Sequence, residues 1–478
     1  MTPRLRLLSL VAVVLVAAAG LIALAAGGAD DDGPRPLEPG RGATASSSDP
    51  LAYRSERRAD VEQRAAAGLA HVLYAKSPGG AVATAERVDR WRPLVEAAAE
   101  RHDVDPDTLE AMVFLESAGR EDATASDDLE GAAGLTQILA ETATNLLDLR
   151  VDVEASERLT RGIRRGRKVA ERVGERRRVD ERFDPAKALD ATGRYLRFAK
   201  EQLGRDDLAV QSYHMGVGNL QRALKAYGDD DVPYTQLFFD STPLRHREAY
   251  EVLAGLGDDS RTYLFRVMAA REMMGTWRHE PVELATLAAA HARKASAEEV
   301  LHPPALTPPF ASPEALDAAA RQGQLRALEP ELLAEHGLRV DPQMGELSRR
   351  PSRYRRLRPE ALALALYLGR GVQEVSGTSD PLTITSAVRD LPYQDRIIRS
   401  GNREATRGFS LHTTGWAFDV SRNYASRKQA LAFQFWLDRL QALDLIAWVR
   451  EPGAIHITVA RGARPLVTSV LATPRAAP

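Results

Sequence analysis

Hydrophobic positions across residues 91–277 recur at the spacing of one helical face. Leu109, Met112 and Val113 show this spacing, and Pro106 stands where such a helix should begin. Side chains three and four residues apart share one face of an α-helix, so they can point toward a common core. The pattern therefore predicts that this half of the chain is all-α.

The pattern changes near Tyr354. A helix is expected over 359–374, and three apolar runs follow it at 382–388, 415–420 and 454–459. Short apolar runs rich in β-branched residues are typical of β-strands. The sequence therefore predicts an α+β domain at the C-terminus, and with 478 residues the chain is long enough for at least two folded domains.

An apolar run at 7–28 follows Arg4 and Arg6. The run is long enough to span a bilayer, and the basic residues before it predict that the rest of the chain lies outside the cytoplasm. Residues 1–28 are expected to be either a signal peptide or an N-terminal membrane anchor, and the sequence favours neither. Residues 29–87 are expected to form a stalk and a polar helix.

Changes in composition divide the rest of the chain. The predicted parts are an all-α domain at 88–277, a Pro-rich linker at 278–352, an α+β domain at 353–465 and a tail at 466–478. An Arg- and Glu-rich insertion at 150–182 interrupts the all-α domain. This insertion is interpreted either as a solvated helical segment or as a surface that contacts anionic polymers or lipid headgroups.

Composition narrows the possible chemistry. The 64 Lys and Arg residues nearly balance the 66 Asp and Glu residues, so no basic excess indicates a nucleic-acid partner. The chain has no cysteine, which excludes disulfides and thiolate nucleophiles and leaves histidine and carboxylate as metal ligands. We find neither a glycine-rich nucleotide-binding loop nor a Ser-His-Asp arrangement.

Four short segments in the first half carry candidate chemistry. A lone helical glutamate is usually a solvated surface residue, and here the accompanying segments favour a catalytic role. The four are Glu116-Ser117, Gly134-Leu-Thr-Gln-Ile138, Tyr213-His-Met-Gly-Val-Gly-Asn219 and Tyr263. In this order and spacing they resemble the soluble lytic transglycosylases, relatives of goose-type lysozyme, over residues 91–275.

The resemblance implies a lysozyme-like fold and an enzyme that acts on the glycan strands of peptidoglycan. Glu116 would protonate the leaving oxygen of the MurNAc-GlcNAc bond and then accept the proton of the muramic C6 hydroxyl, which closes a 1,6-anhydro ring. One carboxyl group suffices and no cofactor is implied, whereas ordinary glycoside hydrolysis uses two carboxyl groups. This role requires Glu116 to be protonated near neutral pH in partly apolar surroundings.

The resemblance also implies a set of substrate-binding residues. These are Ser117, Gln137, Tyr213, Gly216, Asn219 and Tyr263, the last of which would also steady Glu116. The chain departs from the family pattern at Thr136, His214 and Val217, where the family has Met, Asn and Pro. These departures bear on subsite preference more than on the reaction.

A second constellation consists of His412, Asp419 and His456. Two imidazoles and one carboxylate leave a fourth position for water, which is typical of a catalytic rather than a structural zinc site. The run from Ser410 to Asp419, with Arg389 upstream, resembles the zinc D-alanyl-D-alanine carboxypeptidases and their endopeptidase relatives. This resemblance covers residues 355–462.

The second resemblance implies zinc-dependent cleavage of peptidoglycan stem peptides. His412, Asp419 and His456 would bind Zn²⁺, and Arg389 would hold the scissile carbonyl or its developing oxyanion. Glu451 is the candidate base for the attacking water. It stands five residues before His456, whereas the family places an acidic residue two or three before its last histidine.

Together these patterns predict a multidomain peptidoglycan-degrading enzyme. Its fold class is an all-α lysozyme-like transglycosylase domain plus a C-terminal α+β zinc-peptidase-like domain. Two alternatives stay open. The C-terminal domain of the transglycosylase would only bind the stem peptide, or the whole chain would be a non-catalytic, membrane-anchored scaffold that binds the cell wall.

Overall fold

The computed structural model describes residues 49–293, 296–402, 405 and 407–471. The predicted signal peptide or anchor at 1–28 lies outside these residues. Within the ranges described, no helix is both long and apolar enough to cross a membrane. The chain forms two compact units, the first comprising Val72–Ser241 and Glu248–Ala288, and the second comprising 49–71, Thr242–Arg247 and 289–471.

Helices build the first unit and the segment before it. In chain order they are α1 (Arg58–Lys76), α2 (Ala81–Asp89), α3 (Arg92–His102), α4 (Pro106–Ser117), α5 (Ala140–Asn145), α6 (Val153–Arg164), α7 (Val169–Val179), α8 (Pro185–Leu203), α9 (Asp206–Met215), α10 (Val217–Tyr227), α11 (Tyr234–Asp240), α12 (Arg247–Ala254), α13 (Tyr263–His279) and α14 (Pro281–Ala292). The helical prediction for this half is confirmed. The folded part begins earlier than residue 88, because α2 buries Ala81, Ala85 and Val88.

Helix α4 carries Glu116 in its last turn. The Asp105 side chain accepts a hydrogen bond from the Asp107 amide at the start of the helix, and Pro106 occupies its first position. The helix ends where Ala118 and Gly119 take positive φ angles. Helix α4 packs against α13, so the last turn of α4 lies beside the start of that helix.

The Arg-rich insertion forms α6 and α7, which pack against each other. Most of its arginines are exposed or half-exposed, but Arg182 is fully buried. Its guanidinium forms a 2.8 Å ion pair with Asp180, which is also fully buried. The same guanidinium donates hydrogen bonds to the carbonyls of Leu129, Gly131 and Ile138. The end of the insertion therefore holds the loop that follows α4.

The second unit combines helices with two sheets. Its helices are α15 (Glu298–Leu301), α16 (Pro313–Arg321), α17 (Pro330–Glu335), α18 (Pro359–Ser376), α19 (Leu391–Arg399), α20 (Arg427–Ala442) and α21 (Arg464–Leu466). Its strands are β1 (Arg326–Ala327), β2 (Leu338–Val340), β3 (Arg356–Leu357), β4 (Leu382–Ser386), β5 (Ala417–Ser421), β6 (Ile446–Arg450) and β7 (Ala454–Val459). The expected helix at 359–374 and the three expected strands are confirmed.

The main sheet has five strands in the order β2-β4-β5-β7-β6. Strands β2 and β4 are parallel, and the other pairs are antiparallel. Asp419 of β5 lies opposite His456 of β7, so the alternation of side chains along a strand puts both on one face of the sheet. The opposite face of the same strands carries the buried residues Phe418, Val420 and Ile457.

The segment expected to be a linker, 278–352, is largely folded. It supplies β2 to the edge of the main sheet and β1 to the small sheet formed with β3. It also supplies the short helix α15, whose residues Glu298 and Glu299 are buried. Prolines suggested a linker because they interrupt helices and strands, but here several occupy first turns of short helices, where they are tolerated.

We expect Arg182→Leu to destabilise the first unit by about 3–5 kcal/mol, because the change leaves the Asp180 carboxylate buried without its cation. Hydrogen exchange of peptides from the first unit, followed by mass spectrometry in increasing urea, measures this loss. Arg158→Leu is the matched control, since Arg158 pairs with Glu154 on the exposed surface, and it should change stability by less than about 1 kcal/mol. Equal effects of the two substitutions would contradict the structural role of Arg182.

Candidate functional site

The structure brings Glu116 and Tyr263 into direct contact. The Tyr263 hydroxyl donates a 2.6 Å hydrogen bond to Oε1 of Glu116. Glu116 is half-buried, and Tyr263 is almost fully buried at the start of α13. The packing of α4 against α13 therefore joins two residues that are 147 positions apart in the chain.

Burial raises the pKa of Glu116 to about 7. Desolvation is the main cause, because it disfavours the charged carboxylate. The hydrogen bond from Tyr263 and the positive charge of Arg266 oppose this effect, and the negative charge of Asp259 adds to it. A carboxyl group with a pKa near 7 is able to donate a proton at neutral pH and to accept one afterwards.

Aromatic rings surround this carboxyl group. The ring of Tyr263 stacks with that of His214 at 5.3 Å and with that of Tyr213 at 6.3 Å between centroids. The Tyr213 hydroxyl donates a 2.7 Å hydrogen bond to the Thr136 carbonyl. Tyr213 thus connects α9 to the loop after α4. His214 is exposed and its Nδ1 lies 2.7 Å from the Ser260 hydroxyl.

The loop after α4 has a compact backbone. Gly134 has a φ of 82°, and a Cβ at this position would come within 1.9 Å of the Arg182 carbonyl, so only glycine fits. The amide group of Gln137 donates hydrogen bonds to the carbonyls of Ala123 and Gly134, at 3.1 and 2.8 Å. The structure therefore gives Gln137 a role in holding the loop.

The remaining residues expected to bind sugar occupy different environments. Ser117 is only 2% exposed, and its hydroxyl donates to the Val113 carbonyl, which leaves the side chain almost no surface for a ligand. Gly216 separates α9 from α10 with a φ of 83°. Asn219 lies in the first turn of α10, and its amide donates a 2.7 Å hydrogen bond to the Met215 carbonyl.

Comparison with protein families finds a match in this unit. The family model described as "Transglycosylase SLT domain" matches residues 164–233. This part of the chain is similar to transglycosylase SLT domains. The matched residues include Tyr213, Gly216 and Asn219, whereas Glu116 precedes the match and Tyr263 follows it. A search of curated proteins finds none that matches the chain.

The similarity of residues 164–233 to this domain supports peptidoglycan-degrading lytic transglycosylase activity. The SLT match covers α7, α8, α9 and α10. Of these, α8 packs against α9 and α9 packs against α10. Tyr213 on α9 stacks with Tyr263 and so places the matched helices beside the Glu116 carboxyl group. Glu116 and Tyr263 lie outside the match, but the structure places them beside the helices that it covers.

The second unit contains a cluster of His412, Asp419 and His456. His456 Nδ1 lies 2.9 Å from Asp419 Oδ1 and 3.1 Å from His412 Nε2, and His412 Nε2 lies 3.1 Å from Asp419 Oδ1. All three residues are buried. His412 stands in a short 3₁₀ turn before β5, and the other two stand on β5 and β7.

The donor set of this cluster fits a divalent metal ion. The ring nitrogen of each histidine that points away from the cluster has its own partner, which is the Ala387 carbonyl for His412 and the Glu298 carboxylate for His456. When those outer nitrogens carry protons, one lone pair from each ring and one oxygen of Asp419 converge on the same point. Two imidazoles and one carboxylate are the ligands of many catalytic zinc sites.

The charged groups of the cluster shift one another's pKa values. Burial and then the positive charge of Arg389 lower the pKa of His412. Burial would also lower the pKa of His456, but hydrogen bonds to Asp419 and Glu298 outweigh it and raise this pKa. The carboxyl groups of Asp419 and Glu298 thus lie on either side of the His456 ring.

Arg389 and Glu451 lie on the same cleft as the cluster. The cleft has a volume of about 670 Å³. Nη2 of Arg389 lies 3.6 Å from Asp419 Oδ2, and the guanidinium is held by the Ser386 hydroxyl and the Gln394 side chain. This arrangement leaves a fixed positive charge beside the convergent ligands.

Strand register explains the spacing between Glu451 and His456. Val449 on β6 lies opposite His456 on β7. Glu451 is two residues beyond Val449, and its amide donates to the Ala454 carbonyl, so the strand pairing continues to the turn. Positions two apart share a face of a sheet, and Glu451 therefore faces the cleft despite its greater sequence separation.

Two residues that contact these sites had no motif to identify them. Glu298 contacts His456 at 3.0 Å from a segment that the sequence suggested was a linker. Arg182 supports the loop after α4 from within the Arg-rich insertion. Both are charged residues in polar segments, so hydropathy predicts that their side chains are exposed to solvent.

The raised pKa of Glu116 has a testable effect on stability. In the unfolded chain the pKa returns to about 4.5. Between pH 4.5 and 7 the folded protein holds more protons than the unfolded chain, so wild type loses stability as pH rises through this range. Glu116→Gln lacks this titration. We expect its melting temperature, measured by calorimetry, to rise relative to wild type between pH 4.5 and 7 and to level off above.

The exposed Glu141 is the matched control for this measurement. Glu141→Gln removes one carboxyl group from the exposed surface and so controls for the loss of a negative charge. A flat difference for Glu116→Gln would show that the pKa of Glu116 is not raised by folding.

Proposed function

We propose that this protein is a lytic transglycosylase that cleaves the MurNAc-GlcNAc bond of peptidoglycan with formation of 1,6-anhydro-MurNAc. The observation that carries the proposal is the Glu116 carboxyl group, which desolvation keeps protonated up to about pH 7 and which Tyr263 holds in place. The transglycosylase SLT match in the same unit supports the substrate class.

In the proposed reaction the protonated Glu116 donates its proton to the glycosidic oxygen. The GlcNAc leaving group departs as the C1–O bond breaks, and positive charge develops at C1 of MurNAc. The carboxylate of Glu116 then accepts the proton of the C6 hydroxyl, whose oxygen bonds to C1. The hydrogen bond from Tyr263 stabilises the carboxylate between the two proton transfers. No water enters this sequence.

The location of the enzyme is part of the same proposal. Peptidoglycan lies outside the cytoplasmic membrane, and the apolar run at 7–28 with its preceding arginines favours export of the bulk of the chain. The protein would act in the cell envelope, either secreted or anchored by this segment.

We further propose that the second unit is a zinc-dependent peptidase acting on stem peptides of the same polymer. The convergence of His412, Asp419 and His456 at one point of a cleft favours this candidate. A bound Zn²⁺ would supply a Lewis acid that lowers the pKa of water and polarises a carbonyl. Glu451 would accept the proton of the attacking water, and Arg389 would hold the carbonyl oxygen.

We expect Glu116→Gln to lower the rate of 1,6-anhydro product formation about 100- to 10,000-fold, because the amide cannot transfer the proton. The assay incubates the full chain with purified peptidoglycan and identifies anhydro ends by mass spectrometry. Glu141→Gln, an exposed glutamate near the same loop, should match wild type. Undiminished anhydro product from Glu116→Gln would rule out Glu116 as the acid, and no product from wild type would support the wall-binding scaffold.

For the second unit we expect zinc-dependent release of amino acids from purified stem peptide by the full chain. Glu451→Gln should lower this release about 100-fold or more, because it removes the base and leaves the metal ligands in place. His412→Ala should abolish both release and zinc binding. Normal zinc binding without any release by wild type would contradict the peptidase activity and favour the alternative in which this unit only binds the stem peptide.

A further inference from the structure

Glu298 contacts the proposed zinc site from outside the strands that carry it. Its Oε2 lies 3.0 Å from Nε2 of His456. The carboxylate is buried, with only 6% of its side chain exposed. It comes from α15, 158 residues before His456 in the chain. The contact is therefore a product of tertiary folding and not of the metal-binding sequence pattern.

The position of Glu298 determines which nitrogen of His456 carries a proton. An imidazole that binds a metal through Nδ1 must keep its remaining proton on Nε2. A carboxylate only accepts hydrogen bonds when it is ionised, so Glu298 favours the tautomer with a proton on Nε2. The lone pair of Nδ1 then points toward Asp419 and His412, which lie 2.9 and 3.1 Å away.

The two histidines of the cluster are oriented by different acceptors. The outer nitrogen of His412 lies 2.8 Å from the Ala387 carbonyl, which is a neutral acceptor. His456 has the carboxylate of Glu298 instead, at 3.0 Å. A charged acceptor makes the stronger hydrogen bond and raises the basicity of the ring as a metal ligand. The affinity of the site for a metal ion should therefore depend more on Glu298 than on the Ala387 carbonyl.

Several contacts fix Glu298 in this position. The Thr458 hydroxyl donates to the same oxygen at 3.3 Å. The chain just after α15 is anchored by His302, whose Nε2 lies 2.7 Å from the Val459 carbonyl and whose ring stacks on Trp416 at 4.6 Å. Burying a carboxylate is unfavourable unless it is compensated. Here His456 and Thr458 compensate it, so the carboxylate and the imidazole depend on each other.

We propose that Glu298 is a positioning residue that fixes the tautomer and orientation of His456 and strengthens the binding of a divalent metal ion. The inference rests on the zinc site proposed above and extends it to a segment with no metal-binding motif. Glu298 itself does not touch the metal position, because His456 stands between them.

The test measures zinc affinity of the full chain after removal of metal with a chelator, by competition with a chromophoric chelator. We expect Glu298→Ala to weaken zinc binding about 10- to 100-fold. Glu298→Gln should weaken it less, because the amide oxygen still accepts a hydrogen bond from Nε2 without the negative charge. The absorption spectrum of the cobalt-substituted protein should also change in both variants, which a purely structural role would not cause.

Glu299→Gln is the matched control. Glu299 stands next to Glu298 in α15 and is equally buried, but its carboxylate pairs with Arg293. This variant should bind zinc within about threefold of wild type, because in the described part of the chain His456 hydrogen-bonds to His412, Asp419, Glu298 and Thr458 and not to Glu299. Circular dichroism of the metal-free variants checks that the fold is intact, and if Glu298→Ala unfolds, Glu298→Gln decides the outcome.

The possible results separate the two proposals. Wild-type zinc affinity in both Glu298 variants, with loss of binding in His412→Ala, would overturn the role of Glu298 and leave the zinc site standing. Wild-type protein that binds zinc no better than His412→Ala would overturn the zinc site and the role of Glu298 together. A loss in the Glu298 variants that Glu299→Gln shares would also count against Glu298, because it would reflect the packing of α15.

Discussion

The removal of charged side chains from water is the constraint on which both units depend. A buried carboxyl group is tolerated only when a proton, an opposite charge or hydrogen-bond donors compensate it. Glu116 is compensated by its raised pKa and by the Tyr263 hydroxyl. Asp419 is compensated by the imidazoles of His412 and His456. Tyr263 is 147 residues away from Glu116 in the chain and His456 is 37 residues away from Asp419, so each site exists only when the surrounding elements have assembled.

The two sites use this constraint in different ways. In the first unit, burial keeps a proton on Glu116 near neutral pH, so a side chain of the protein is able to act as the acid. In the second unit, burial brings two imidazoles and a carboxylate together, and this arrangement favours a cation. The proposed reactions follow from that difference, since proton donation suits a glycosidic oxygen and a Lewis acid suits a peptide carbonyl.

Segments that carry no motif support both sites. Arg182 pairs with Asp180 and donates to three carbonyls of the loop after α4, which Tyr213 also contacts. Glu298 contacts His456 from α15. Charged residues in polar segments resemble solvated linkers in sequence, because hydropathy reports only the transfer of each side chain taken alone. Their burial depends on partners that lie far away in the sequence and that no local pattern identifies.

The sequence by itself determined the local elements and identified the candidate residues of both sites. Periodic apolar positions predicted the helix that carries Glu116 and the strands that carry Asp419 and His456, because helical and strand periods follow from backbone geometry alone. Tertiary structure decided the rest. It buried Ser117, assigned Gln137 to the loop, made the expected linker part of the sheet, and brought Glu451 and Glu298 to the cleft. These outcomes depend on strand register and on pairs of residues far apart in the chain, which no local pattern encodes.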